Sequence, residues 1–288
     1  MIIERIQGRL FCGFSLAALV LPIKVNWILG SALILILGVP HGAFDSIYFE
    51  RLFRPSHRAS WLLFVLLYLM TSALVVGFWV VAPFAALSIF LLISLWHFSA
   101  DPAPGVDAIT RLFYGGGIIL LPLLRHSAEV TRIFTLLSGP DAAGAIVVVL
   151  HQIAPAWALF LAIAALLQVR RDLLAAAEIT ALGVLGIFAP PLVAFAVFFC
   201  AMHSARHLIR TVRWSGVPFD RSLLMSAALP MFILMPFLAL GWYLLDGLSN
   251  ETRAIRVLFI GLAALTVPHM ALVERERERV RLIGNTIT

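Results

Sequence analysis

Long apolar runs, separated by short polar breaks, set the pattern of this chain. Residues 27–49 read WILGSALILILGVPHGAFDSIYF, and comparable runs recur to the end of the sequence. A membrane-crossing helix needs roughly 17–25 predominantly apolar residues. On that measure ten segments stand out, at about 10–23, 27–49, 60–82, 84–99, 109–125, 143–168, 173–189, 191–210, 222–245 and 254–273. Pro83, Pro190 and Pro191 mark very tight turns between neighbouring segments, because proline removes a helical hydrogen bond. The polar stretches 100–108, 125–142 and 246–253 and the tail 274–288 are too short for a soluble domain. The pattern predicts an all-α, polytopic transmembrane bundle of ten spans, with residues 1–288 as one integral membrane domain.

Composition agrees and narrows the class. The chain is 62% hydrophobic and 12% charged, against about 25% charged in soluble domains. Its net charge of +6 points to loops facing anionic lipid headgroups and not to nucleic acid. With the N-terminus inside, fifteen basic residues fall on cytoplasmic segments. Five, Lys24, Arg125, Arg132, Arg253 and Arg256, fall on the opposite side, and Arg206 lies within a helix. That asymmetry places both termini in the cytoplasm. The tail repeats Glu-to-Arg pairs at i,i+3 (Glu274–Arg277, Glu276–Arg279, Glu278–Arg281), the pattern of a solvated cytoplasmic helical extension. Arg5 and Arg9 ahead of an apolar run resemble a signal peptide, but no small-residue cleavage site follows, so a retained first helix is expected. Cys12 and Cys200 form no disulfide framework and read as small core residues.

The histidines are unevenly placed. His57 and His126 fall at a basic loop and a helix end, where solvation is expected, and His151 beside Gln152 reads as locally hydrogen-bonded. The other five, His41, His97, His203, His207 and His269, all lie in even-numbered spans, which run outside to inside. At ~1.5 Å rise per residue they fall roughly 4–10 Å cytoplasmic of their span centres, in one layer. Ionisable groups inside a membrane face the bundle interior and mark function. His203 and His207, at i and i+4, share a helix face. Separate interhelical hydrogen bonds would also account for buried histidines. A common layer with an i,i+4 pair favours metal binding. Asp45, four residues after His41, could accept an imidazole N–H and orient that ring, or pair with an interfacial arginine. Asp101, after WHFSA, reads as a loop or cap residue. Pro40 and Pro268, each directly before a histidine, should bend their helices and open space beside the layer.

All-imidazole ligation without thiols points to iron, zinc or copper. HExxH, serine-hydrolase, kinase, P-loop and dinucleotide fingerprints are absent from the sequence. The motifs GVPHGAFD, WHF, HSARH and PHM, in that order along nearly the whole chain, resemble the Brp/Blh family of prokaryotic β-carotene 15,15′-dioxygenases. The resemblance implies a multi-pass protein of the cell inner membrane that uses iron(II) and O₂ to cleave the central double bond of β-carotene. Two molecules of all-trans-retinal would result, for hand-off to a microbial rhodopsin. It further implies His41, His97, His203 and His207 as iron ligands, with His269 a further ligand or a group supporting one.

Two other classes fit parts of the pattern. A di-iron desaturase or hydroxylase would need more histidines in repeated boxes. A histidine-lined metal or proton transporter would need polar residues continuing to the outer face, where only His151 and Gln152 qualify. Aromatics near the layer (Phe44, Tyr48, Trp96, Phe98, Phe195, Phe198, Phe199 and Trp214) supply packing and, in part, a candidate tunnel wall. Because the layer sits off the midplane, the expected route for a polyene is lateral, tilted or nearly parallel to the membrane.

Overall fold

The computed structural model describes residues 2–20, 27–217 and 221–285, excepting the side chains at 41, 222, 224, 226 and 280–285. Lys24 and the Glu278–Arg281 pair lie outside the described residues. Every regular element among those described is helical. The first helix, α1 (Ile2–Val20), is followed by a segment that changes winding three times. It begins as α2 (Trp27–Leu33), becomes a π-turn (Ile34–Gly38), tightens into a 3₁₀ turn (Val39–Phe44) and ends as α3 (Asp45–Phe53). Next come α4 (Arg58–Val81), α5 (Pro83–Phe98), α6 (Ala108–Leu120), α7 (Leu123–Ser138), α8 (Pro140–Val169) and α9 (Leu173–Phe188). A second wound segment comprises α10 (Pro191–Val197), a π-turn (Phe198–Ser204) and α11 (Ala205–Ser215), before α12 (Arg221–Leu244) and α13 (Asn250–Asn285).

Where described, each of the ten apolar segments is mainly helical. Length and composition qualify six helices as membrane-crossing: 27–53, 58–81, 140–169, 191–215, 227–244 and 250–279. A seventh is added if α6 and α7, bent by 61° at their junction, form one span, while α5 and α9 are shorter apolar helices. The stretch 125–142, expected to be a polar connection, is mostly helix α7. Leu123, Val130, Phe134 and Leu137 recur on one face and are buried there, so a polar composition concealed an amphipathic helix. Helices α4 and α12 bury little, leaving Leu62, Leu66, Val80, Phe232, Met235 and Leu240 exposed. Apolar faces that large suit lipid and not water.

The two prolines before histidines act differently. Pro40 stands at the start of the 3₁₀ turn, where the helix has already left regular α winding. Pro268 lies inside α13, which continues past it. The two π-turns abut: Ser204 Oγ donates to the Gly38 carbonyl at 3.1 Å, and Cys200 Sγ to the Leu33 carbonyl at 3.5 Å. A Cβ on Gly38 would lie 2.4 Å from the Phe199 ring, so this approach requires glycine. Such π-turns concentrate at functional sites because they re-aim side chains. At the far end, α13 runs on through the tail, where Glu274 pairs with Arg277 as the spacing predicts. Arg279 does otherwise and donates to the Arg51 carbonyl at 3.1 Å.

Candidate metal centre

Four of the five layered histidines meet at the centre of the bundle. His97 ends α5, His203 lies in the π-turn, His207 opens α11 and His269 follows Pro268 in α13. Their rings form a circuit. Centres are 4.5 Å apart for His97–His203, 5.2 Å for His97–His269, 5.0 Å for His207–His269 and 6.4 Å for His203–His207. His97, His203 and His269 are buried; His207 is half-buried. His41 has its backbone in the 3₁₀ turn beside this group, and its side chain lies outside the described ones. Among the described residues, no three His, Cys, Asp or Glu side chains already stand in metal-holding geometry.

Carboxylates orient two of the rings. Asp101 places Oδ2 at 3.0 Å and Oδ1 at 3.1 Å from His203 Nδ1. Asp45 Oδ1 is 2.6 Å from His269 Nδ1, and its Oδ2 accepts from the Tyr68 hydroxyl at 2.9 Å. An ionised carboxylate accepts, so each of these Nδ1 atoms faces it as the donor, the arrangement by which carboxylates orient metal-binding imidazoles. The donor set suits a first-row metal: four imidazoles, three of them buried and two oriented by carboxylates, with no thiolate among them. Imidazoles sharing one ion at adjacent positions bring their ring centres about 4.5–5.2 Å apart, given a bond of ~2.1 Å. Three of the four separations fall in that range and the fourth is wider.

These contacts sharpen two expectations. Asp45, placed near an imidazole by its i,i+4 spacing to His41, does meet one: its described imidazole partner is His269, 224 residues away, a pairing no local pattern can express, while the His41 side chain lies outside the described ones. Asp101 lies in a loop, as expected, but as a buried carboxylate at 4% exposure. Arginines hold its loop in place. Arg206 donates from Nη1 to the Asp101 carbonyl at 3.1 Å, and Arg210 donates to the carbonyls of Ala100 at 2.6 Å, Asp101 at 3.0 Å and Pro102 at 3.1 Å. Arg111 ties the other end through Val106 and Ala103. Arg206, the one cation assigned to a helix interior, is 2% exposed. Glu178 of α9 grips it at 2.6 and 2.8 Å, and Gln7 of α1 accepts from its Nε at 2.8 Å. A guanidinium buried this deeply requires such pairing. One sequence signal was available, since Arg206 and Glu178 are both charges inside apolar segments.

Aromatic rings close the centre from the apolar side. Phe98 lies 4.8 Å and Phe199 5.4 Å from the His203 ring, and Tyr48 stacks between His207 and Trp214. Trp96 does not join them; it is 58% exposed on the outer surface. The remaining histidines stay apart. His57 is exposed, His126 is half-buried and His151 and Gln152 are both exposed on α8. The last pair does not extend the polar layer outward, as a transport pathway would require. His126 sits at a kink in α7 with φ −122° and is less solvated than expected.

Comparison with known proteins decides the class. The family described as beta-carotene 15,15′-dioxygenase matches residues 32–275. The chain belongs to this family. That span contains all five layered histidines with Asp45 and Asp101, and membership makes the protein an enzyme of the carotenoid dioxygenase class. A beta-carotene 15,15′-dioxygenase of uncultured marine bacterium 66A03 is 31% identical over 257 residues, covering 84% of this chain and 91% of the relative. A probable beta-carotene 15,15′-dioxygenase Blh of Halobacterium salinarum is 28% identical over 279 residues, covering 83% of this chain and 80% of the relative. No solved structure matches the chain significantly.

Proposed function

We propose that the protein cleaves the central 15,15′ double bond of β-carotene with O₂ to give two molecules of all-trans-retinal, which would supply a microbial rhodopsin. The equation balances without a further reductant: one C=C bond breaks, and each half keeps one oxygen atom as an aldehyde. The observation that carries the reading is a set of buried imidazoles inside an apolar bundle of this family. His41, His97, His203 and His207 would hold iron(II), with His269 a further ligand or a support. Iron on neutral imidazoles would supply the reactivity toward O₂ that side chains lack.

The protein's own part is to position and to exclude. Asp101 and Asp45 keep protons on Nδ1 of His203 and His269 and so turn Nε2 toward the shared centre. Phe98, Phe198 and Phe199 keep water from the reacting bond. A hydrocarbon substrate offers nothing for a charged anchor, and the carboxylates around the site are already engaged with histidine, tyrosine and arginine. In this reading the chain crosses the inner membrane ten times with both termini cytoplasmic, α1, α5 and α9 being short crossings flanked by protein. Expression in a carotene-making bacterium tests the activity. Loss of colour with retinal appearing is expected, and unchanged carotene with no retinal would refute it.

A further inference from the structure

A cavity of about 90 Å³ lies against the phenylalanine wall of the histidine centre. One side is a single stripe of α5: Leu87, Leu91, Ser94 and Phe98. Helices α6, α7, α10 and α13 supply the other walls, and apart from Ser94 the lining side chains are apolar. Its inner end is Phe98, whose ring contacts His203, and Phe195, which stacks at 5.2 Å on Phe199. Phe199 in turn stacks on His203. The cavity is therefore one ring away from the centre. Its lining follows α5 from Leu87 to Phe98.

Length identifies the occupant. From Leu87 to Phe98 the slot extends ~16 Å at the helical rise. A full carotenoid matches the hydrocarbon core at about 30 Å, so one arm from central bond to ring is about 15 Å. We propose that this cavity is the subsite for one arm of the carotenoid, its inner end holding the polyene beside the histidines and its outer end, at Leu87 and Leu91, receiving the terminal ring. Leu91 is then a specificity-determining residue. The proposal rests on the reading of the chain as a carotenoid-cleaving enzyme and adds where and how the substrate is measured. Central cleavage follows from it: a slot of one arm's length stops the ring at its far end and leaves the middle of the molecule at the histidines.

The test uses the full-length protein in detergent with two substrates, β-carotene and an apocarotenal. The apocarotenal keeps one ring and the central double bond but has the other arm shortened and its ring removed. Leu91→Trp should fill the ring end while sparing the inner ~10 Å of the slot. Cleavage of β-carotene should fall roughly tenfold or more relative to the apocarotenal, as expected for overpacking a filled site. Retention of β-carotene by anaerobically purified protein, read by absorbance without turnover, should fall as well. Equal losses on both substrates, or no change in either, would overturn the subsite. If Leu91→Trp does not fold, Leu91→Ala serves: it should raise cleavage of ring-hydroxylated carotenoids relative to β-carotene, and an unchanged ratio overturns the proposal. Wild-type protein that retains carotenoid but releases no retinal would refute the proposed reaction, and the retention comparison would still decide the subsite.

Discussion

Adding one methyl group at Gly8 separates two opposing forces. Gly8 lies inside α1, where glycine costs about 0.5–1 kcal/mol relative to alanine, so helix propensity alone favours Gly8→Ala. Packing says the reverse. A Cβ there would stand 1.9 Å from Glu178 Oε1, 3.0 Å from its Cδ and 3.1 Å from Arg206 Nη2. The oxygen it displaces is the one bonded to Arg206 at 2.6 Å. Breaking a buried ion pair by removing one partner costs about 3–5 kcal/mol. Part of that should survive relaxation, since Glu178 keeps its second contact at 2.8 Å. Net destabilisation of about 1–4 kcal/mol is expected after the propensity gain. Gly13→Ala is the matched control: the same helix, nothing within 4 Å of its Cβ, and an expected gain of up to ~1 kcal/mol. Thermal unfolding of both variants in one detergent measures the difference. Because Arg206 also holds the Asp101 carbonyl, Gly8→Ala should weaken metal binding in parallel, read by titration with Fe(II) or Co(II). If Gly8→Ala is as stable as Gly13→Ala, the ion pair does not hold the centre and the reasoning fails.

Replacing Asp101 by Ala should lower metal affinity about 10–100-fold, as for loss of a carboxylate behind a metal-bound histidine; unchanged affinity by the same titration would remove Asp101 from the site. His203→Ala or His207→Ala should abolish retinal formation and bound iron, whereas His57→Ala, at an exposed position, should retain both, by product chromatography and metal analysis. Tyr68→Phe removes one donor to Asp45 while leaving its bond to His269. It should therefore cost less activity than Asp45→Ala, and the reverse order would mean that tyrosine has a role of its own. Asp172 caps α9 and pairs with Arg5. Partial burial pulls its carboxyl pKa up, but hydrogen bonds from Arg5, Ala175 and Leu174 outweigh this and leave it lowered. A depressed folded pKa contributes stability above the unfolded value, near 3.9, that is lost as pH falls through the folded one. Amide exchange at the start of α9 should accelerate on acidification below about pH 4, and Asp172→Asn should flatten that dependence.

How much of the fold and the centre is legible in the sequence depends on the range of the signal. Hydropathy locates each apolar helix because a lipid-facing rod needs a continuous apolar run. The helical rise also places the histidines in one layer, and four of them do meet. Helix α7 escapes because one-dimensional hydropathy averages Arg125, His126, Glu129 and Arg132 with the apolar face that Leu123, Val130 and Phe134 bury. The partners of the two carboxylates are illegible for a different reason. Asp45 has a histidine four residues before it, yet its oxygen meets His269. Asp101 follows its neighbour His97 closely in sequence, yet serves His203. Residues nearby in sequence compete with residues brought together by packing, and a single linear sequence reports only the first.

Charge placement shows why packing prevails here. A carboxylate within an apolar bundle cannot remain ionised without donors, so the bundle must bring donors from wherever the chain supplies them. Asp101 satisfies this by sitting beneath His203 while its own carbonyl and its neighbours' accept from Arg206 and Arg210. Arg206 then needs a paired anion, which α9 provides through Glu178, and a neutral acceptor, which α1 provides through Gln7. Helices α1 and α9 contribute none of the five layered histidines, yet they carry groups without which the arginine, the loop and the imidazole would lose their positions in turn. A site assembled by linked desolvation costs in this way extends well beyond its donors. The variant that best exposes this is remote from the histidines in sequence, a methyl group on α1, and not another histidine.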